Sequence, residues 1–343
     1  MNDPNGLIFF RGRYHAFFQY NPDNLAGGPK HWGHAVSDDL IHWEELQTAL
    51  YPDKPYEDSG GCYSGSAVEK DGKLWLFYTS VSEKLGQTQS VAVSEDGLNF
   101  EKYAGNPIIR SCPISGTPDF RDPRVTLIDG HYYMVCGSGK GDTGKILLFR
   151  SDDLFNWDYR GVLFEGSEFG PVFECPDFFK LGDRYVLMFS QMFKKLYTTM
   201  FIIGDFENEV FSPLFYSQPE AGRHFYAPQT FEDGNGRRIM IGWLYCWGKP
   251  ANDEAGYTGA FTVPRELRLL GNRIYDYPVS EAESLLTDTD ELVNITDDSV
   301  EISGSKPLLR YEGYVDSVKI LRDTKTLEVF INGGQCSFSY WLD

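Results

Sequence analysis

Three acidic residues stand in similar words: Asp3 before a proline in MNDPNG, Asp122 before a proline in FRDPRV, and Glu174 two residues ahead of one in FECPDFF. A carboxylate in a crowded site can attack an electrophilic carbon or pass a proton, and a pair with different pKa values can do both in one reaction. Crowding like charges raises the pKa of at least one member, which retains a proton near neutral pH. Such a pair fits glycoside hydrolysis, where one acid attacks the anomeric carbon and another protonates the departing oxygen. Arg121, beside Asp122, is expected to lower that acid's pKa and keep it ionised. An Asp before Pro is by itself a common turn residue. Glu174 is harder to explain that way, because it sits inside the apolar run PVFECPDFF and an unpaired buried charge is costly. Asp177, three residues on, reads as turn or scaffolding.

Positioning the acids requires a repeat, and the chain has one. SDDLIHWEEL begins at Ser37, SEDGLNFEKY at Ser94 and SDDLFNWDYR at Ser151, two steps of 57 residues. A turn glycine followed by an alternating aromatic stretch occurs five times, from Gly12, Gly72, Gly130, Gly182 and Gly236. Each unit accommodates about four short strands, and the period-2 alternation predicts strands over helices. The expected fold is therefore all-β, a five-bladed β-propeller over residues 1–275. A TIM barrel would need helical stretches that the sequence does not offer. Counting eight residues back from Gly72, Gly130 and Gly182 reaches Ser64, Asp122 and Glu174; nine back from Gly12 reaches Asp3, and eight back from Gly236 falls two past Tyr226. The first strand of a propeller blade lines the central channel, so the acids are expected to occupy one structural position and converge on one pocket. Ser64 shares that position without a histidine at motif spacing, so it reads as a hydroxyl binder rather than a nucleophile. The Ser-Asp-Asp phrases read as surface turns, with Trp43 and Trp157 as packing.

Composition agrees. Of 343 residues 41% are apolar and 15% aromatic, with 35 Gly, which suits strands and tight turns. A net charge of −19 makes nucleic acid and anionic membrane poor partners and leaves a neutral small-molecule ligand. No window approaches the length of a membrane span, and the polar start MNDPNG is not a secretory signal, so a soluble, cytoplasmic protein is expected, with homo-oligomerisation left open. Six cysteines lie far apart with no C-x-x-C, so reduced thiols are expected. The close pair His31 and His34 has no second ligand pair at metal spacing, and no metal is expected.

At these residues the chain resembles glycoside hydrolase family 32, the invertase and β-fructofuranosidase family. The motifs run in order: MNDPNGL (1–7), HAFFQYNP (15–22), HWGHAVSDDLIHW (31–43), YSGSAV (63–68), FRDP (120–123), ECPD (174–177), FYAPQ (225–229) and VPREL (263–267). The resemblance implies a five-bladed propeller with a C-terminal β-sandwich, and retaining hydrolysis of terminal β-fructofuranosyl bonds without a cofactor. Asp3 then resembles the nucleophile, Glu174 the acid/base, and Asp122 the transition-state stabiliser that with Arg121 grips fructose hydroxyls. Asn2, Gln19, Tyr63 and Ser64 match positions lining the fructose pocket, and Tyr226 a residue near the acid/base.

The match departs from the family pattern in three places. Met1 stands where the family has a Trp and more chain ahead of it, which suggests a shortened N-terminus. The stretch YNPDNLAGGPKH lacks a pocket Trp, and His224 replaces an acid before FYAPQ. Residues 276–343, acidic and then alternating again, read as a reduced sandwich-like region without a catalytic role. The rival readings are a propeller glycosidase for another furanose such as arabinofuranose, a fructosyltransferase on the same scaffold, and a carbohydrate-binding propeller without catalysis. Persistence of all three acids argues against the last.

Overall fold

The computed structural model describes residues 1–24, 28–192, 197–245, 257–306 and 308–342. Seven antiparallel sheets hold the strands: five sheets of four or five strands, in chain order, and then two of three. Pro4–Phe10 opens the first sheet, Gly61–Lys70 the second, Phe120–Ile128 the third, Phe173–Leu181 the fourth and Phe225–Glu232 the fifth. The five recurring glycines are the turns of the hairpins these strands begin, and all have positive φ. At Arg11-Gly12, Asp71-Gly72 and Asp129-Gly130 both residues are left-handed, the conformation whose twist matches a two-residue hairpin.

The alternation that predicts strands also explains how the sheets stack. In Lys73–Ser82, Leu74, Leu76 and Tyr78 face Phe10, Phe17 and Trp32 of the first sheet. The intervening Trp75 and Phe77 face Phe120, Val125 and Met134 of the third. The same division recurs in Arg184–Met192: Leu187 and Phe189 pack on the third sheet, Val186 and Met188 on the fifth. Ile239 and Ile241 of the fifth sheet then pack on Leu7, Tyr14 and Ala16 of the first. Each of the five larger sheets is thus buried on two faces, and the packing returns to its start. The five opening strands neighbour one another in chain order, with the fifth also touching the first.

The expected surface turns are side-chain-capped. Asp39 Oδ1 accepts the Ile41 and His42 N–H groups at 2.9 and 2.8 Å, and Asp96 and Asp153 repeat the pattern. The indole of Trp157 stands edge-on to Phe77, a packing role as expected. The five described cysteines are unpaired, and Cys246 lies outside the described residues. Among the described residues no helix is long and apolar enough to cross a membrane.

The fifth sheet continues through Arg273–Pro278, so the expected boundary at 275 falls inside a strand. Beyond it, two three-stranded sheets share a core of Val300, Ile302, Ile320, Val329 and Phe338. One fully buried cation joins them to the rest. Arg265 of VPREL donates to Glu220 and Asp276 at 2.7 and 2.6 Å, and to Glu328 and Ser339 of the last sheet at 2.6 Å each. Three carboxyls thus surround one guanidinium. Burial pushes Asp276 up to about 7, against the pull of Arg265, and raises Glu328 for the same reason. Their folded pKa values lie above the unfolded ones, so this contribution to stability is present at low pH and is lost as pH rises through about 7. Arg265→Met leaves the carboxyls with no cation and is expected to cost about 3–5 kcal/mol in urea unfolding. The deficit should be larger at pH 8 than at pH 6; a midpoint equal to wild type at both would show that the cluster does not hold the junction.

Candidate active site

Each of the five opening strands is broken near its start by a β-bulge. The register shifts fall between Asn5 and Ile8, Cys62 and Gly65, Arg121 and Arg124, Glu174 and Asp177, and Tyr226 and Gln229. Within four of these bulges one residue is left-handed: Gly6, Asp122, Cys175 and Ala227, with φ of 54, 62, 46 and 48°. For the three that are not glycine this conformation is strained, and it persists where the surroundings over-determine it. Here the neighbouring sheets do so. The Asp122 N–H donates to Thr79 Oγ1 at 2.9 Å, the Cys175 N–H to Asp122 Oδ2 at 2.8 Å, and the Ala227 N–H to Ser190 Oγ at 2.9 Å. A bulge turns side chains that regular alternation would send elsewhere. It also corrects the expectation of one shared position. Asp122 is the left-handed residue of its bulge, Glu174 stands one residue ahead of Cys175 and Asp3 three ahead of Gly6, so the acids converge from staggered positions rather than equivalent ones.

Their convergence is close. Asp3 Oδ2 accepts from Ser64 Oγ at 2.5 Å and from Gln19 Nε2 at 3.2 Å, so the predicted hydroxyl and amide meet the predicted acid. The Cys175 thiol sits 3.5 Å from Asp3 Oδ2 and 3.6 Å from Asp122 Oδ2, between the two carboxyls. Glu174 is held on both oxygens. Its Oε1 accepts Arg121 Nε and Nη2 at 3.1 and 2.9 Å, and its Oε2 accepts the Tyr226 hydroxyl.

Arg121 therefore serves Glu174 and not, as expected, its chain neighbour Asp122. Burial pushes Asp122 up to about 7; the Arg121 charge pulls it down, but Glu174 and Asp3 push it further up. The expected pull of Arg121 on Asp122 is thus present but outweighed, because the guanidinium is aimed across the pocket while Asp122 is only 5% exposed. Asp3 is likewise pushed up to about 6, first by burial, with the Ser64 hydrogen bond opposing and the Glu174 charge adding.

The remaining predicted residues are placed by the same strands. The Asn2 N–H donates to Gln19 O at 3.0 Å, and the Tyr63 carbonyl accepts the buried Trp32 indole N–H at 2.9 Å. No hydrogen bond joins either side chain to the three carboxyls among the described residues. His224, in place of an acid, accepts the Trp341 N–H at 3.0 Å and so ties the fifth sheet to the last. Asp177 is scaffolding but not a turn: it is buried, lies 2.7 Å from Arg124 Nε, and accepts the Thr230 N–H and hydroxyl at 2.7 and 2.9 Å. Sequence reasoning missed Cys175, Thr79, Asp119 and Gln87. Cys175 lies inside the quoted ECPD and Asp119 directly precedes FRDP; nothing local marks the other two, both of which lie in strands of the second sheet.

Residues 1–278 match the family model described as the glycosyl hydrolases family 32 N-terminal domain. This chain belongs to glycosyl hydrolase family 32. A sucrose-6-phosphate hydrolase of Zymomonas mobilis is 36% identical over 99% of this chain and 72% of its own length. One of Escherichia coli is 40% identical over 83% of the chain and 63% of its own length. The family 32 β-fructofuranosidase of Bombyx mori superposes with a TM-score of 0.89 at 32% identity, covering all of this chain and 86% of that one. A mutant of that enzyme has been solved with sucrose. Membership in family 32 sets aside the reading as a glycosidase of another furanose-specific family.

The raised pKa of Asp122 makes a prediction about stability. Its folded value of about 7 exceeds the 3.8 of the unfolded chain, so the fold is favoured while the acid is protonated and loses stability as pH rises through about 7. Asp122→Asn is expected to be more stable than wild type at pH 8, on the order of 2–4 kcal/mol, with the gap closing as pH falls toward about 4. Thermal or urea unfolding across that range measures it; a variant no more stable at pH 8 would show that the buried carboxyl is not under this strain.

Proposed function

We propose that this protein is a retaining hydrolase of terminal β-D-fructofuranosyl bonds in sucrose, sucrose 6-phosphate or small fructans. The observation that carries the reading is the meeting of Asp3, Asp122 and Glu174, from three different sheets, around one thiol and one guanidinium. Relatives named as sucrose-6-phosphate hydrolase, raffinose invertase and levanase support the substrate class. We read the five sheets as blades of a five-bladed propeller through Pro278, and the two small sheets as a short sandwich-like appendage without a catalytic role. Cyclic packing of the sheets and the likeness to the Bombyx mori enzyme support that architecture.

In this reading Asp3 attacks the anomeric carbon of the fructosyl unit while Glu174 gives its proton to the departing oxygen, leaving a fructosyl ester on Asp3. Glu174 then takes a proton from water, whose oxygen attacks the same carbon and releases Asp3. Asp122 holds fructose hydroxyls as charge develops on the ring. Ser64 and Gln19, both donors to Asp3 Oδ2, favour its ionised form against the burial that raises it.

Sucrose hydrolysis tests the assignment directly. NMR of the first-formed fructose should show the β-anomer, since two displacements retain configuration. Asp3→Asn should lower kcat by several orders of magnitude with the fold intact, because an amide cannot form the ester. Near-normal turnover in the folded variant, or an α-product, rules out Asp3 as nucleophile.

Glu174→Ala separates the second role. Loss of the acid matters most for poor leaving groups, so fructosides with activated leaving groups should form the intermediate far more readily than sucrose. Release should then limit turnover, and azide, which needs no general base, should accelerate it and yield a β-fructosyl azide. Equal impairment on both substrates and indifference to azide would move the acid/base role to another carboxyl.

A further inference from the structure

Glu174 has a task at odds with its surroundings. A general acid must keep a proton to give away, yet two nitrogens of Arg121 lie 3.1 and 2.9 Å from its Oε1, and a guanidinium that near favours an ionised carboxyl. The opposite edge of the same guanidinium is also engaged. Arg121 Nη1 donates to Asp119 Oδ1 at 2.5 Å and to Gln87 Oε1 at 3.3 Å.

Both acceptors are fixed from behind. The Asp119 carbonyl accepts Ser138 Oγ at 2.6 Å, and its N–H donates to Thr117 Oγ1 at 3.1 Å. Gln87 Oε1 also accepts the Phe120 N–H at 2.7 Å, tying the second sheet to the third. The Asp119 side chain is 26% exposed and that of Arg121 9%, so water screens their attraction only in part. One guanidinium is therefore shared between two carboxylates, at 2.5 Å on one edge and 2.9 Å on the other.

We propose that Asp119 is a positioning residue for the acid/base step: it anchors the outer edge of Arg121 and takes up part of its charge, so that Glu174 can hold a proton beside it. This rests on the reading of Glu174 as the acid/base. Among the described residues no hydrogen bond joins Asp119 to Asp3 or Glu174. The other groups facing Glu174 are Asp3 and Asp122, two carboxyls from neighbouring strands, Tyr226 as a donor to Oε2, and the neutral Cys175 thiol. Arg121 is the only cation within ion-pair distance of Asp119 among the described residues. Burial disfavours the charge on Arg121, and Glu174, Asp122 and Asp119 together outweigh it, so the guanidinium stays charged.

The test is the pH dependence of kcat/KM on sucrose for Asp119→Asn, which keeps an acceptor for Nη1 but removes the charge. Arg121 then acts undivided on Glu174, the ionised form is favoured, and the alkaline limb, where the acid is lost, should move down by about one pH unit. The loss should be about tenfold on the alkaline side and within about threefold on the acid side. It should be smaller for an aryl fructoside, whose leaving group needs little acid help. Asp119→Glu, which restores the charge, should return the limb toward wild type. If Asp119→Asn does not fold, Asp119→Ser removes the same charge with less bulk and is read in the same way. A limb that stays in place, with activity scaled equally at every pH, overturns the proposal and leaves Asp119 a merely structural residue. Wild-type protein inert on every fructoside would instead sink the enzymatic reading itself.

Discussion

Both faces of the strands that follow the opening ones are buried, and that constraint sets where the chemistry can sit. Leu74, Leu76 and Tyr78 pack one way and Trp75 and Phe77 the other, so these strands cannot slip by one residue without exchanging two cores at once. Their partners, the opening strands, are held in register by the same packing. A bulge in an opening strand is then the remaining freedom for turning a side chain toward the middle. Five bulges occur at comparable points, and the N–H groups of the three strained residues are captured by side chains from neighbouring sheets. The strain at Asp122 and Cys175 is thus held in place by the packing, and the carboxyls it presents are held with it.

Crowded negative charge is the second theme, and the molecule handles it twice in the same way. In the pocket Glu174 and Asp119 share Arg121; at the junction Glu220, Asp276 and Glu328 gather around Arg265. In each case one guanidinium, with its several directed donors, serves more than one acid, which a compact ammonium could not do with fixed geometry. The difference lies in access. The junction is sealed from solvent, whereas Asp119 and Glu174 keep part of their side-chain surface in solvent. A closed cluster of this kind fixes how two parts of a protein meet; an open one leaves room for a substrate to alter the balance of charge.

The residues that support the proposed chemistry are drawn from distant parts of the chain. Asp3 meets Ser64 across 61 positions and Cys175 across 172. Tyr226 reaches Glu174 from the fifth sheet, and Gln87 reaches Arg121 from the second. Such a site depends on return of the packing from the fifth sheet to the first, where Ile239 and Ile241 meet Leu7, Tyr14 and Ala16. His224 extends the dependence to the last sheet through Trp341, so that sheet steadies the start of the strand that carries Tyr226.

The hairpin glycines, the period-2 alternation and the repeated acids were legible because each depends on a residue and its near neighbours. Gly12, Gly72 and Gly130 mark left-handed turns whatever surrounds them, and a short continuous apolar run such as Leu74 to Tyr78 fits a strand buried on both faces. Those local rules, with the motif words that carry the family resemblance, determined the all-β class, the repeat and the choice of Asp3, Asp122 and Glu174 as candidates. They could not determine the register of the bulges, because a bulge depends on which residue of the partner strand lies opposite. Nor could they determine the direction of Arg121. Its chain neighbour is Asp122, but its guanidinium spans the gap to Glu174, since the bulge turns the two side chains apart and the next sheet brings a carboxyl within 2.9 Å. Proximity along the chain decides little for a long side chain at a bulge; the carboxylate that tertiary packing brings within hydrogen-bond reach decides its partner.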